Sequence, residues 1–212
     1  MDKIVVIGAK GLAYEILFSF PEIEEKFIFF DDINPHIINV LNKFKVLKTI
    51  YELREQFNNN KFNFVLGVGG ASNKKFLYEK FTSEKGNNIS LISKNAKIGN
   101  YQTDIKKGSI VLDGALVTNN VKIGTCCLIN KQVIISHDAC IGSFSEISPG
   151  AKIMGNVTIG ESVEIGAGAI ILPKLNVGNN VTIGAGAVVL KDIPDNSVVV
   201  GNPGKIIKTK NQ

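Results

Sequence analysis

From Ile105 to Val189 every sixth residue is isoleucine or valine, without a break. The series passes through Val111, Val117, Ile123, Ile129, Ile135, Ile141, Ile147, Ile153, Ile159, Ile165, Ile171, Val177 and Ile183. A helix repeats at 3.6 residues and a half-buried strand at two, so neither produces this spacing. A sustained hexapeptide period predicts a parallel β-helix, in which each short strand stacks on its equivalent in the next coil. Three hexads close one triangular coil of 18 residues. An aliphatic residue followed by glycine recurs at that longer interval, at Ile123-Gly124, Ile141-Gly142, Ile159-Gly160 and Val177-Gly178. The fourth residue after each aliphatic position is usually small or β-branched, as at Ala115, Val121, Cys127, Ala139, Ser145, Ala151, Val157 and Ala187. The third is often glycine or asparagine: Gly108, Gly114, Asn120, Gly150, Asn156, Gly168, Asn180 and Gly186. These types tolerate positive φ, which a tight corner between short strands requires. At about 4.8 Å per coil, the prism is roughly 23 Å tall. Ile92 and Ile98 are six apart but Ile105 follows after seven, so the first coil, 89–104, carries one extra residue. The period ends near Leu190, and a strand from Ser197 to Gly201 follows.

Residues 1–88 lack this period. Ile4 to Ile7 reads as a buried strand, and Gly8-Ala9-Lys10-Gly11 as a tight turn. Leu12, Ile16, Leu17 and Phe20 mark an amphipathic helix stopped by Pro21. Phe27–Phe30 and Asn63–Val68 read as two more strands, closing at Asp31-Asp32 and at Gly69-Gly70. Ser72 or Asn73 is expected to cap a further helix reaching about Phe81. Strands alternating with helices predict a small parallel α/β sheet of Rossmann-like type over 1–88, with the β-helix occupying 89–212. Ligands of such sheets bind beyond the carboxyl ends of the strands, where Gly8, Gly11, Asp31, Asp32, Gly69 and Gly70 fall. The first turn is G-x-x-G-x-A rather than G-x-G-x-x-G. A segment of this length holds one mononucleotide half, which favours a mononucleotide over a dinucleotide. Asp31 and Asp32 are candidates to accept hydrogen bonds from a nucleoside.

The chain has 212 residues and a net charge of +5. Arg54 is the only arginine, which argues against nucleic-acid binding, where arginine dominates recognition. A lysine excess instead suits phosphate-bearing small molecules. No apolar run reaches membrane-spanning length, and Met1-Asp2-Lys3 leads into a strand-like run without a signal-peptide pattern. Cys126, Cys127 and Cys140 are odd in number and unpatterned, as for reduced packing thiols. A cytoplasmic location is therefore expected.

Of two histidines, His36 follows Asn34-Pro35 in a loop expected to be exposed. His137 stands second after Ile135, just before a β-helix corner, and Asp138 occupies the corner position itself. A zinc hydrolyase built on a β-helix needs three histidine ligands, and this β-helix has one. A non-catalytic β-helix used for assembly is a further alternative.

Gly-Ala-Lys-Gly and Asp31-Asp32 precede a repeat carrying Ser136-His137-Asp138-Ala139-Cys140-Ile141-Gly142. Ile147-Ser148-Pro149-Gly150-Ala151 and Gly201-Asn202-Pro203-Gly204-Lys205 follow. Over essentially its whole length the chain resembles the bacterial nucleotide-sugar N-acetyltransferases that act on 4-amino sugars. These include the bacillosamine and perosamine types and the related sialic acid O-acetyltransferases. The resemblance implies a left-handed β-helix, a homotrimer with active sites between neighbouring β-helices, acetyl-CoA as donor, a UDP-linked amino sugar as the favoured acceptor, and no metal. It implies His137 as general base and Asp138 as its acidic partner. It further implies that Glu146, Gly155, Ala167 and Pro173 line the acetyl-CoA groove. Gly8, Lys10, Gly11, Asp31, Asp32 and Gly69 would hold the nucleotide sugar. Sialic acid O-acetylation shares the fold and the donor. Two positions depart from the family pattern: Lys10-Gly11-Leu12 replaces a Gly-Gly-His-like turn, and Glu146 stands where a histidine is common.

Overall fold

The computed structural model describes residues 3–210. They divide into two compact units. The first runs to Gly69 and resumes over Asn73–Ile89; the second holds Gly70–Ser72 and the chain from Ser90 onward.

In the first unit, β1 (Ile4–Ile7), α1 (Gly11–Ser19), β2 (Phe27–Phe30), β3 (Asn39–Val40), β4 (Phe44–Leu47), α2 (Ile50–Gln56), β5 (Phe62–Leu66), α3 (Ala71–Ser83, whose first two residues belong to the second unit) and β6 (Gly86–Asn88) follow in order. Five strands are parallel, in the order β4-β2-β1-β5-β6, with β3 added antiparallel at the β4 edge. β1 is central and buried throughout, as its unbroken Ile-Val-Val-Ile run requires of a strand covered on both faces. The chain builds outward from β1 to β2 and β4, then crosses to β5 on the other side. That reversal of direction creates a crevice at the carboxyl ends of β1, β2 and β5. β3, β4, α2 and β6 were not expected from the sequence, because their apolar positions are too few and too short to set a period. The third helix begins at Ala71, so Ser72 and Asn73 fall inside its first turn and not before it. The second helix has the cap its sequence offers: Thr49 accepts from the Glu52 N–H.

The second unit is the parallel β-helix that the hexads predict. Two-residue strands end at each aliphatic position and stack in register every 18 residues into three faces. Face one gathers the strands ending at Ile92, Val111, Ile129, Ile147, Ile165 and Ile183, extended by Ser197–Val200 and the antiparallel Lys205–Thr209. Face two gathers those ending at Ile98, Val117, Ile135, Ile153, Ile171 and Val189. Face three gathers Ile105, Ile123, Ile141, Ile159 and Val177. From Val111 onward the aliphatic positions and most of the small residues four places later form one continuous buried core, with Ile98 and Ile105 partly buried against it and Ile92 exposed. The extra residue of the first coil lies at a corner: five residues separate Ile98 from Asp104, against four between Val117 and Lys122.

The corner conformation is stricter than the residue types suggest. All fourteen third positions from 108 to 186 have positive φ. Eight of these are the expected glycines and asparagines, and the others are Cys126, Gln132, Asp138, Phe144, Ser162 and Lys174. An aspartate at a corner is therefore not in itself a departure that marks function. Stacking on the coils above and below over-determines the turn, and an ordinary side chain tolerates the αL cost.

Candidate active site

His137 sits at the corner between faces two and three. Its Nδ1 lies 2.7 Å from Asp138 Oδ2, and the imidazole is 65% exposed. Asp138 has φ of +61°, a backbone that turns its side chain back along the corner beside its neighbour. Its other oxygen accepts from Asn120 Nδ2 at 2.6 Å. Hydrogen bonds from His137 and then Asn120 hold the Asp138 carboxyl below the usual carboxylate range. The pair is thus an anion beside an imidazole that has one ring nitrogen engaged and Nε2 left for another group.

Above His137, at an interval of 18, stands Gly155, which is buried. A Cβ on Gly155 would come within 2.7 Å of both Cε1 and Nε2 of His137. The imidazole therefore rests against this α-carbon, and only glycine leaves it space. Pro173 follows one coil higher, exposed, and the next corner residue, Lys174, donates its N–H to the Gly155 carbonyl.

The other two residues assigned to the acetyl-CoA groove do not join this column. Ala167 is exposed at the corner between faces one and two. Glu146 points outward from face one, where Oε2 accepts from the Gly70 N–H at 3.2 Å. Glu164, its neighbour in the next coil, accepts from the Ala71 N–H at 3.1 Å. A cavity of about 380 Å³ follows this face, lined in part by Gly70, Glu146, Ser148, Glu164 and Thr182. The hexad period shows that Glu146 faces outward. It does not show that residues 70–72, far away in sequence, lie against it.

In the first unit the structure brings Gly8, Lys10, Gly11, Asp31, Asp32 and Gly69 together around one cleft of about 300 Å³. Ile7, Leu12, Phe30, Ile33, Val68 and Leu77 supply apolar walls. The two glycines of the first turn differ in physical role. Gly8 has φ of +111°, and a Cβ there would strike the Gly67 carbonyl at 2.6 Å, so the fold itself demands glycine. At Gly11 a Cβ would meet nothing within 4 Å. Its bareness keeps open space at the start of α1, where backbone N–H groups point outward.

Asp31 is buried and committed to its own loop. Oδ1 accepts from the N–H groups of Ile33 and Asn34 and from Asn34 Nδ2, and Oδ2 also accepts from Asn34 Nδ2. Burial pushes its carboxyl up, but the Asn34 and Ile33 hydrogen bonds and the nearby Lys48 ammonium outweigh it and lower the pKa. Lys48 also donates to the carbonyls of Asp31 and Asn34, which pins both ends of the loop. Asp31 therefore shapes the cleft wall through its own loop, and it lines the cleft as well. Asp32 pairs with Lys80 at 2.7 Å, and that ammonium lies over the rings of Phe81 and Phe30. His36 is exposed, as expected.

Cys127 is buried in the core, where its Sγ lies 3.2 Å from the Gly142 carbonyl. It repeats the contacts of Ser109 with Gly124 and of Ser145 with Gly160, so it continues a ladder of hydroxyl-type donors. Cys126 is a buried corner residue. Cys140 differs from the packing role expected of it: it is half-buried on the outer side of face three, in register with Lys122 and Thr158. Among the described residues no cluster of three or more His, Cys, Asp or Glu is arranged to hold a metal ion. No helix among them is long and apolar enough to cross a membrane.

Residues 141–173 and 156–191 match the bacterial transferase hexapeptide family (six repeats). The acetyltransferase domain of PglB from Neisseria gonorrhoeae FA1090, solved in complex with acetyl coenzyme A, is 30% identical. The match covers 97% of this chain and 98% of that one, with a TM-score of 0.86. WeeI from Acinetobacter baumannii AYE is 28% identical over 98% of this chain and 100% of that one, with a TM-score of 0.84. PerB from Caulobacter crescentus, solved with CoA and GDP-perosamine, shares the fold at 24% identity and a TM-score of 0.87, over 98% of both chains. The β-helix is accordingly of the left-handed hexapeptide class. With this repeat and likeness along its whole length, the chain is an acyltransferase and belongs to the bacterial hexapeptide-repeat family of perosamine- and bacillosamine-type N-acetyltransferases.

Proposed function

We propose that this chain transfers the acetyl group of acetyl-CoA to the 4-amino group of a nucleotide-linked sugar, serving bacterial surface glycan synthesis in the cytoplasm. The observation that carries the reading is the His137–Asp138 pair at 2.7 Å, with the imidazole seated on Gly155. A sugar ammonium is no nucleophile until it loses a proton. Imidazole, with an ordinary pKa of about 6.5, removes protons effectively near neutral pH. Asp138 Oδ2 accepts from Nδ1–H, so Nε2 is the basic nitrogen, and the carboxylate stabilises the imidazolium that forms. The amine then attacks the thioester carbonyl directly. The C–N bond forms and the C–S bond breaks; of the two protons the nitrogen sheds between ammonium and amide, one leaves to solvent and the other passes through His137 to the departing thiolate.

The tetrahedral oxyanion needs a preorganised donor. At equivalent places in the repeat the backbone N–H is met by a side chain one coil higher, as Thr125 is by Ser143 Oγ and Glu161 by Asn179 Oδ1. Above Gly155 that place belongs to Pro173, whose side chain offers no acceptor. The Gly155 N–H suits the oxyanion for this reason.

The acceptor's nucleotide is assigned to the cleft at the ends of β1, β2 and β5. Its size and apolar walls suit one nucleoside, and the start of α1 suits a diphosphate. UDP is the favoured nucleotide, by likeness to the bacillosamine type; the solved neighbour PerB carries GDP-perosamine. A homotrimer is part of the reading. Within one chain Glu146 and Ala167 lie away from the His137 corner, so a donor groove using all the assigned residues needs a neighbouring β-helix.

The test is turnover of acetyl-CoA with UDP-, dTDP- and GDP-linked 4-amino-4,6-dideoxyhexoses, beside free sialic acid. Acetylation of a nucleotide-linked amine, lowered at least about 100-fold in a folded His137→Ala variant, is the expected result. Acetylation of sialic acid alone points to O-acetyl transfer. A near-normal rate in His137→Ala removes the base.

A further inference from the structure

Asn120 lies one coil below the His137–Asp138 pair. It stands 18 residues before Asp138 and shares its left-handed backbone, with φ of +56° against +61°. Its side-chain amide donates to Asp138 Oδ1 at 2.6 Å, while Asp138 Oδ2 meets His137 Nδ1 at 2.7 Å. The two carboxylate oxygens are thus held from two sides by two different residues. A carboxylate turns freely about its Cβ–Cγ bond unless something fixes it, and both groups here are exposed, where water competes for each oxygen.

We infer that Asn120 is a positioning residue for the transfer reaction. It fixes the Asp138 carboxylate so that Oδ2 accepts from Nδ1–H of His137, which keeps Nε2 the proton-accepting nitrogen. The inference rests on His137 being the base. Asn120 acts only through Asp138.

The same stacking occurs where there is no histidine. Asn180 Nδ2 donates to Asn196 Oδ1 at 2.7 Å, again between corner residues of adjacent coils. Stacked asparagines are therefore also a structural device of this repeat. What sets Asn120 apart is that its acceptor is the partner of His137. Asn180 thus supplies a control with the same geometry and no reacting group.

The informative variant is Asn120→Gly. Glycine already occupies equivalent corners at Gly108 and Gly114, so the backbone is preserved and only the donor is lost. With acetyl-CoA and a UDP-linked 4-amino-4,6-dideoxyhexose, kcat should fall about fivefold and KM for both substrates should hold, as for one lost hydrogen bond. Nitrogen-15 NMR of the His137 ring, which needs no substrate, should show the Nδ1–H tautomer in the parent and a mixture in Asn120→Gly. Asn120→Asp, which sets carboxylate against carboxylate, should lower kcat further, and Asn180→Gly should change neither readout. Parent-like turnover and an unchanged tautomer in Asn120→Gly, with His137→Ala inactive, overturn the role of Asn120. An active His137→Ala overturns the base assignment itself, and this inference with it.

Discussion

The two units present their candidate sites by opposite routes. In the β-helix the backbone is uniform: every corner from 108 to 186 adopts the same left-handed turn, whether the residue is glycine, asparagine, glutamine or phenylalanine. Function there is a matter of which side chain stands at an otherwise standard place. His137 and Gly155 are one coil apart at the same kind of position, and the ring of one fills the space a side chain on the other would need. In the first unit no backbone repeats. Its cleft is shaped by individual devices such as the Asp31–Asn34 loop and the tight packing of Gly8 against Gly67. A periodic scaffold supplies conformation through its neighbours, so its side chains are free for other work. An aperiodic one must spend polar side chains on holding its own loops.

That contrast can be tested by substitution. Gly155→Ala places a methyl group 2.7 Å from two atoms of the His137 ring. The exposed ring can swing aside, so the melting temperature should hardly move. The displaced base should lower kcat by about 10–100-fold, since misplacing a reacting group by about 1 Å costs of that order. A parallel fall in stability would mean that the glycine serves the coil and not the histidine.

Asp31→Ala removes the acceptor of two backbone N–H groups in a buried turn. It should cost about 1.5–3 kcal/mol at pH 7, the range for hydrogen bonds to a charged group, and weaken binding of the nucleoside diphosphate at the cleft. The folded-state pKa of Asp31 lies below its unfolded value. Its contribution is therefore complete above about pH 4, the unfolded carboxyl range, and is lost as the pH falls below that through the folded value. Denaturant melts of parent and variant should converge in acid. A gap that persists there would detach the effect from the carboxylate.

Gln132→Val changes an exposed corner residue with φ of +56° to a β-branched one. Because the side chain is exposed, the effect isolates the backbone; glutamine already bears the left-handed cost, and the added strain of a β-branched residue at positive φ should lose about 1 kcal/mol. No measurable loss would show that the coil can relax its corners, against the uniformity on which the contrast rests.

The β-helix was legible because its two signals are local. The aliphatic residue and the small residue four places later recur within each hexad, and both are buried as that reading requires. His137-Asp138 was legible because the two residues are adjacent. Asn120 was missed although the signal was present: subtracting the coil length from Asp138 leads straight to it. The first unit is less legible. β3, β4 and α2 lie among short, mixed segments, and their place in the sheet is set by pairing with β2, not by pattern.

By itself the sequence determined the coil period, which side chains enter the core, and that a histidine and an aspartate share one corner. These follow from a repeat in which each residue's surroundings are other residues at known offsets. Only the tertiary structure decided that Asp31 is hydrogen-bonded within its own loop, that Glu146 and Glu164 meet the backbone of Gly70 and Ala71, and that Gly155 leaves the space the imidazole occupies. Each of these depends on a contact between segments whose separation obeys no period, or on a distance of a few tenths of an ångström. Hydrophobic patterning fixes neither, because it records which side of an element is apolar and not what the polar side meets.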